Sequence, residues 1–269
     1  KAKLGVLDDD VKDEPADAEK AIEASRVLFE EAGDRAGLAS ALNSLATVLG
    51  DREGRVRVQG LYEESLAISS EIGDRRSMSA ALNNLGIMFK DERRFVEARQ
   101  AHERALAIRR DIGDRNWTAI SLSNIGVVLF EEDRLQEAAK YYQESLAIAR
   151  EVGDKRQQVR ALHNLAVVSR EAGRLVEARA EYEESLATRA EIGDKRGMAI
   201  GKVELGAVLL AQGELERARQ VEDEATQLAR ETKLTPGEAQ AAYQLGEIAI
   251  ARGDLAAGRT HHERGLALR

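Results

Sequence analysis

The chain has 269 residues, a formal net charge of −8 and no cysteine, which excludes disulfides and thiolate chemistry and suits a reducing compartment, with the cytoplasm as the expected location. Its carboxylates and guanidinium groups are intermixed, so no basic tract tracks phosphates, and nucleic-acid binding through this segment is not expected. No run of about 18 apolar residues and no cleavable leader is present, so no membrane span is expected.

Aromatic residues make up 4% of the chain and there are two prolines, while Ala, Leu, Glu and Arg dominate, the profile of an all-helical protein. Residues 1–14, rich in aspartate, read as a frayed remnant, and a lone helix is expected over residues 15–32. Gly-Asp then recurs at Gly33-Asp34, Gly73-Asp74, Gly113-Asp114, Gly153-Asp154 and Gly193-Asp194, each pair 40 residues after the last. A fixed period marks units that each contact their neighbours, so residues 1–269 read as one continuous array rather than two domains. Repeats are expected to open near residues 34, 74, 114, 154, 194 and 235.

Within the unit from Asp74 to Gly113, Leu82, Leu85 and Phe89, then Ala98, Ala105 and Ile108, recur at three- and four-residue intervals. That spacing predicts two amphipathic helices with a break near Asp91 to Arg93. Glycine suits the left-handed residue that ends one helix, and the following aspartate can accept from the first free amides of the next. Two units depart from the pattern. In the first, Gly50-Asp51-Arg52-Glu53-Gly54-Arg55 precedes Val58 where other units carry alanine, so its helices are expected to pack further apart. In the last, Leu234-Thr235-Pro236-Gly237-Glu238 replaces Gly-Asp, and Thr235 with Glu238 reads as a capping box with Pro236 at the first helical position.

The unit resembles the tetratricopeptide repeat in an elongated, 40-residue form. Bulky, Leu, small and bulky residues of the family's first helix stand as Leu82, Leu85, Gly86 and Phe89, then Leu122, Ile125, Gly126 and Leu129. Those of its second helix stand as Ala98, His102 and Ala105, then Ala138, Tyr142 and Ser145. The resemblance implies an all-α, right-handed superhelical solenoid of antiparallel helix pairs, about six pairs plus a lone N-terminal helix. It also implies that the first helix of each pair lines a concave groove through its second, fifth, sixth, ninth and thirteenth signature positions.

Counted from Ala39, Ser79, Ala119, Val159, Ala199 and Ala239, the sixth position reads Ser44, Asn84, Asn124, Asn164, Glu204 and Gln244. A side-chain amide both donates and accepts, so Asn84, Asn124 and Asn164, helped by Asn83 and Asn43 at the fifth position, are expected to clamp the backbone of an extended peptide. Similar ladders serve peptide capture in kinesin light chains and Pins-type scaffolds. The alternative is that these amides cap or solvate a polar wall. Arg76, Asn116, Arg156 and Arg196 lie one turn before the second position and Arg160 occupies it; they form either an inward basic edge that favours acidic clients or a solvated first turn. Asp91, Glu131 and Glu171 balance their charge.

His163, at a fifth position, is placed to contact a ligand, whereas His102 and His262 replace the packing tyrosines Tyr62, Tyr142 and Tyr182. His261 and His262 lack the four-residue spacing of a metal pair, and no metal or cofactor is expected. Gly197-Met198-Ala199-Ile200-Gly201-Lys202-Val203 is one residue short of a phosphate loop and lies in a predicted helix, so nucleotide binding is rejected. The leading expectation is a non-enzymatic, cytoplasmic protein-interaction scaffold that binds an extended acidic peptide or partner segment. The sequence reads as part of a larger multidomain protein. The alternative is a ligand- or partner-sensing arm of a bacterial signalling ATPase or transcription regulator, which the Ser-Leu-Ala-Ile and Ala-Leu-Asn-Asn-Leu-Gly phrases resemble through MalT-like regulators; an oligomerisation array is a third.

Overall fold

The computed structural model describes residues 10–50 and 54–268. Among them are thirteen helices and no strand: α1 (Asp10–Ala32), α2 (Arg35–Leu49), α3 (Arg55–Glu71), α4 (Arg75–Asp91), α5 (Phe95–Asp111), α6 (Arg115–Glu131), α7 (Leu135–Val152), α8 (Lys155–Glu171), α9 (Leu175–Glu191), α10 (Lys195–Ala211), α11 (Leu215–Glu231), α12 (Thr235–Ala251) and α13 (Leu255–Ala267). α1 begins at Asp10; the part of the aspartate-rich segment before it, residues 1–9, lies outside the described residues, as do residues 51–53 of the departing first unit.

Helix boundaries follow from local chemistry. Gly33, Gly73, Gly113, Gly153 and Gly193 all take positive φ, and the next residue caps the following helix. Asp34, Asp114, Asp154 and Asp194 accept from the backbone amides of Gly37, Trp117, Gln157 and Gly197 at 2.8–3.2 Å. Each such cap contributes about 1 kcal/mol. The mid-repeat turn uses the same left-handed residue: Gly173, Gly213 and Gly253 supply it without strain, but Arg93 (φ 60°) and Asp133 (φ 58°) adopt it with a Cβ attached. At the last repeat the left-handed residue is Lys233 (φ 53°), which makes Leu234 the cap and puts Thr235 inside α12. The expected capping box is therefore not formed. Glu238 reaches Arg230 and Arg264 instead, at 2.8 and 2.6 Å, and Pro236 does occupy the first turn.

The chain divides into two compact units, residues 1–132 and 133–269. In the first, α1 to α6 pack in succession, and α2 also touches α4 and α4 touches α6. In the second, α7 to α13 pack in succession and α10 touches α12. First helices of neighbouring pairs thus meet side by side at α2, α4 and α6 in the first unit and at α10 and α12 in the second.

Inside a pair, a small residue of the first helix receives a large one from the second. A Cβ added to Gly86 would fall 2.6 Å from His102 Cε1, and one added to Gly246 would fall 2.2 Å from His262 Cδ2. His102 is fully buried and its pKa drops to about 4, chiefly through burial and then through Arg109 and Lys90, so it packs as a neutral ring, as expected from the tyrosines it replaces. Val58 is buried with Leu45, Ala46, Leu49 and Tyr62, so the first pair accommodates the larger side chain within its core. Glu222 fills the same place in its pair. It is fully buried, and its Oε1 lies 2.1 Å from where a Gly206 Cβ would stand. Pairs are also tied by ion pairs from the first residue of one helix to the last of its partner: Arg75 to Asp111 at 2.7 Å, Lys155 to Glu191 at 3.0 Å, Lys195 to Glu231 at 3.3 Å, and Arg35 to Glu71. Exposed pairs of this kind contribute at most about 1 kcal/mol each, so the apolar cores hold the pairs together and the charges register them.

Candidate functional site

In the first unit the amides of α2, α4 and α6 bond one another across the helix pairs. Asn84 Nδ2 donates to Asn43 Oδ1 at 3.1 Å, and Asn124 Nδ2 donates to Asn83 Oδ1 at 2.9 Å. A longer contact of 3.4 Å runs from Asn83 Nδ2 to Asn84 Oδ1. The sixth-position amide of one repeat is therefore held by the fifth-position amide of the repeat before it. Asn43, Asn84 and Asn124 are half-buried, but Asn83 is 5% exposed. Asn83, expected among the peptide contacts, is instead buried and accepts from Asn124 and Arg109.

Beneath Asn83 lies Arg109 of α5, which is 1% exposed. Its Nη1 donates to Asn83 Oδ1 at 3.4 Å, to the Trp117 carbonyl at 3.2 Å and to Ser121 Oγ at 2.5 Å, and its Nη2 donates to the Ser79 carbonyl at 3.4 Å. The guanidinium also stacks over the Trp117 ring, 4.7 Å from its centroid. Burial pulls its pKa down to about 10, with Asp114 pulling the other way, so it stays charged at neutral pH. Spacing alone did not identify this residue; the signal was an arginine at a place where Ser69, Ala149 and Ala229 stand in other repeats. A cavity of about 190 Å³ opens beside Asn84, with Arg55, Tyr62, Ile87 and Asp91 on its walls. Arg76 is exposed on the first turn of α4.

In the second unit, Arg156, Arg160 and His163 of α8 line one cavity of about 590 Å³, together with Arg189 and Asp194. Arg156 and Arg160 are exposed. Asn164 is half-buried on the same helix and Arg196 is exposed on α10, and neither lies on the cavity wall. His163 sits edge-on to Tyr182, with ring centroids 5.9 Å apart. Its pKa lies below the ordinary histidine value, first through burial; Glu204 opposes this, while Arg189 and Arg170 add to it. Glu204, at the sixth position where its neighbour carries Asn164, is engaged by Arg170 and lies 3.5 Å from Tyr182 Oη.

No three His, Asp or Glu side chains are grouped to hold a metal among the described residues, and no helix there is long and apolar enough to cross a membrane. Stacked helix pairs with polar side chains along the inner helices define a repeat-built interaction scaffold. The chain belongs to the tetratricopeptide repeat family, whose model matches residues 77–151, 117–191 and 157–231. No curated protein sequence matches it. In structure it is similar to BtubC (BKLC) from P. vanneervenii, at 20% identity and a TM-score of 0.74 over 82% of this chain and 92% of that one. It is also similar to the apo form of RapI, at 15% identity and 0.72 over 96% and 92%. A third likeness is to a signal transduction ATPase with numerous domains from Pyrococcus horikoshii that carries a tetratricopeptide repeat sensor, at 18% identity and 0.78 over 96% of this chain and 42% of that one. At these identities the likeness is one of fold.

Proposed function

We propose that the chain is a non-enzymatic scaffold, working in the cytoplasm, whose inner helices hold an extended acidic segment of a partner protein. One observation carries this reading. Among the described arginines of the second unit, Arg156, Arg160 and Arg196 lack a carboxylate partner, while every other one has a carboxylate within 4 Å. These exposed guanidinium groups of α8 and α10 are available to pair bidentately with a client's carboxylates. The amides of the first unit support backbone capture. After donating once to Asn83, Asn124 retains its carbonyl oxygen and a second N–H, a matched pair for a peptide group.

Removing those groups leaves peptide atoms unpaired at a cost of about 1 to 3 kcal/mol, so Asn124→Ala weakens binding by roughly 5- to 150-fold. The test is fluorescence anisotropy of a labelled glutamate-rich peptide against its lysine-rich counterpart, with the wild type, Asn124→Ala and Arg156→Ala/Arg160→Ala. The acidic peptide binds more tightly and both variants weaken it. Equal binding of the two peptides removes the charge selection, and an unchanged Asn124→Ala affinity removes the amides.

The likeness to a sensor-bearing ATPase favours a second reading, in which the same surface reports a bound partner or inducer to a linked signalling domain. A nucleotide-binding domain elsewhere in the full gene product, with ATP turnover that changes when partner is added, distinguishes it from a free-standing scaffold.

A further inference from the structure

We propose that the arginine-lined cavity of the second unit is a pocket for a phosphate monoester, carried as a phosphorylated side chain on the acidic partner segment. This inference rests on the scaffold reading above and names the group that the segment presents.

The internal repeat supplies the control. Arg109 and Arg189 occupy the same place two repeats apart, at the end of a second helix. Around Arg109, the Asn83 amide and the Ser121 hydroxyl bond Nη1 and the Trp117 ring stacks on the guanidinium, while Nε is buried without a partner. Their counterparts around Arg189 are His163, Gly201 and Gly197. All three of these groups have been replaced, and two of the replacements have no side chain at all. Arg189 occupies the space left at Gly197, where an added Cβ would stand 1.7 Å from its Nη1, while the space at Gly201 is taken by Leu186, whose Cδ2 would lie 3.0 Å from an added Cβ. The first of the two glycines that superficially suggest a phosphate loop therefore seats an arginine against the helix.

So seated, Arg189 has fewer partners than Arg109. Its Nη1 pairs with Asp194 at 2.5 Å, where the terminal nitrogens of Arg109 meet two side chains and two carbonyls, and its Nε, like that of Arg109, is buried without a hydrogen-bond partner. Arg156 and Arg160 share the cavity with no carboxylate partner of their own. Three guanidiniums against one carboxylate leave two uncompensated positive charges. One carboxylate from a client would leave a net positive charge, whereas a phosphate monoester, with close to two negative charges and three acceptor oxygens, balances the site. The volume of about 590 Å³ admits such a group with its linking side chain.

The experiment titrates the whole chain with inorganic phosphate and, separately, with acetate, following the His163 imidazole resonances by NMR, for the wild type and for Arg160→Gln, an exposed position whose substitution does not disturb the core. Phosphate shifts the His163 signal saturably, binds at least about tenfold more tightly than acetate, and weakens at least about tenfold in Arg160→Gln. No shift with phosphate, equal affinity for acetate, or equal affinity in Arg160→Gln overturns the proposal. A second arm compares one acidic peptide carrying serine, glutamate or phosphoserine at a single position; tightest binding of the phosphoserine form assigns the phosphate to a partner rather than to a free anion. If glutamate-rich peptides bind but neither phosphate nor phosphoserine adds anything, the pocket fails and the scaffold stands. If no acidic peptide binds while phosphate does, the scaffold reading fails and a free-phosphate site remains.

Discussion

Replacing Glu222 with glutamine is expected to stabilise the protein, increasingly so as pH rises. Glu222 lies where other repeats place a tyrosine or histidine, and both of its carboxylate oxygens are buried without a partner. Burial, then Glu204 and Asp223, pushes its pKa from 4.5 up to about 9. A carboxyl group whose pKa rises on folding contributes stability that is fully present below 4.5 and is lost as pH climbs towards 9, because over that window the unfolded chain ionises while the folded chain keeps its proton. Each pH unit costs about 1.4 kcal/mol, so at pH 7 the wild type carries a penalty of about 3 kcal/mol. Glutamine keeps the shape and cannot ionise. Its advantage over the wild type grows from near zero at about pH 4.5 to about 3 kcal/mol at pH 7. Urea unfolding of both proteins at successive pH values, followed by circular dichroism, measures the difference directly. A constant difference across that range would show that Glu222 ionises freely in the folded protein and would refute the reasoning.

Arg109→Ala leaves the Trp117 and Ser79 carbonyls and the Ser121 hydroxyl without their guanidinium partner, which lowers stability by about 1 to 3 kcal/mol. It also unstacks the single tryptophan, so Trp117 emission changes; an unaltered melting temperature and spectrum would contradict the network. Arg93→Gly and Lys233→Gly relieve left-handed backbone at residues with a Cβ and each raise stability by about 1 kcal/mol in thermal unfolding, whereas Gly113→Ala lowers it by a similar amount. No gain in either arginine or lysine variant would place the strain elsewhere.

The 40-residue period, the helix pairs and the Gly-Asp stop-and-start signal were legible from the chain alone. They depend on φ preference, capping and apolar spacing, which act over a few residues and so are written in consecutive letters. The packing role of His102 was legible for the same reason, since it falls in register with tyrosines. Tertiary structure decided the rest. Neighbouring asparagines look alike in sequence, yet Asn83 is buried while Asn84 and Asn124 keep contact with solvent. Arg109 and Arg189 are the same letter at the same register, and only the groups brought to them from the next helix fold one into the core and leave the other beside an open cavity. Thr235 and Glu238 match a capping box, but a left-handed Lys233 moved the cap by one residue and two arginines took the glutamate. Charge partners and burial come from residues distant in the chain, so local pattern cannot report them.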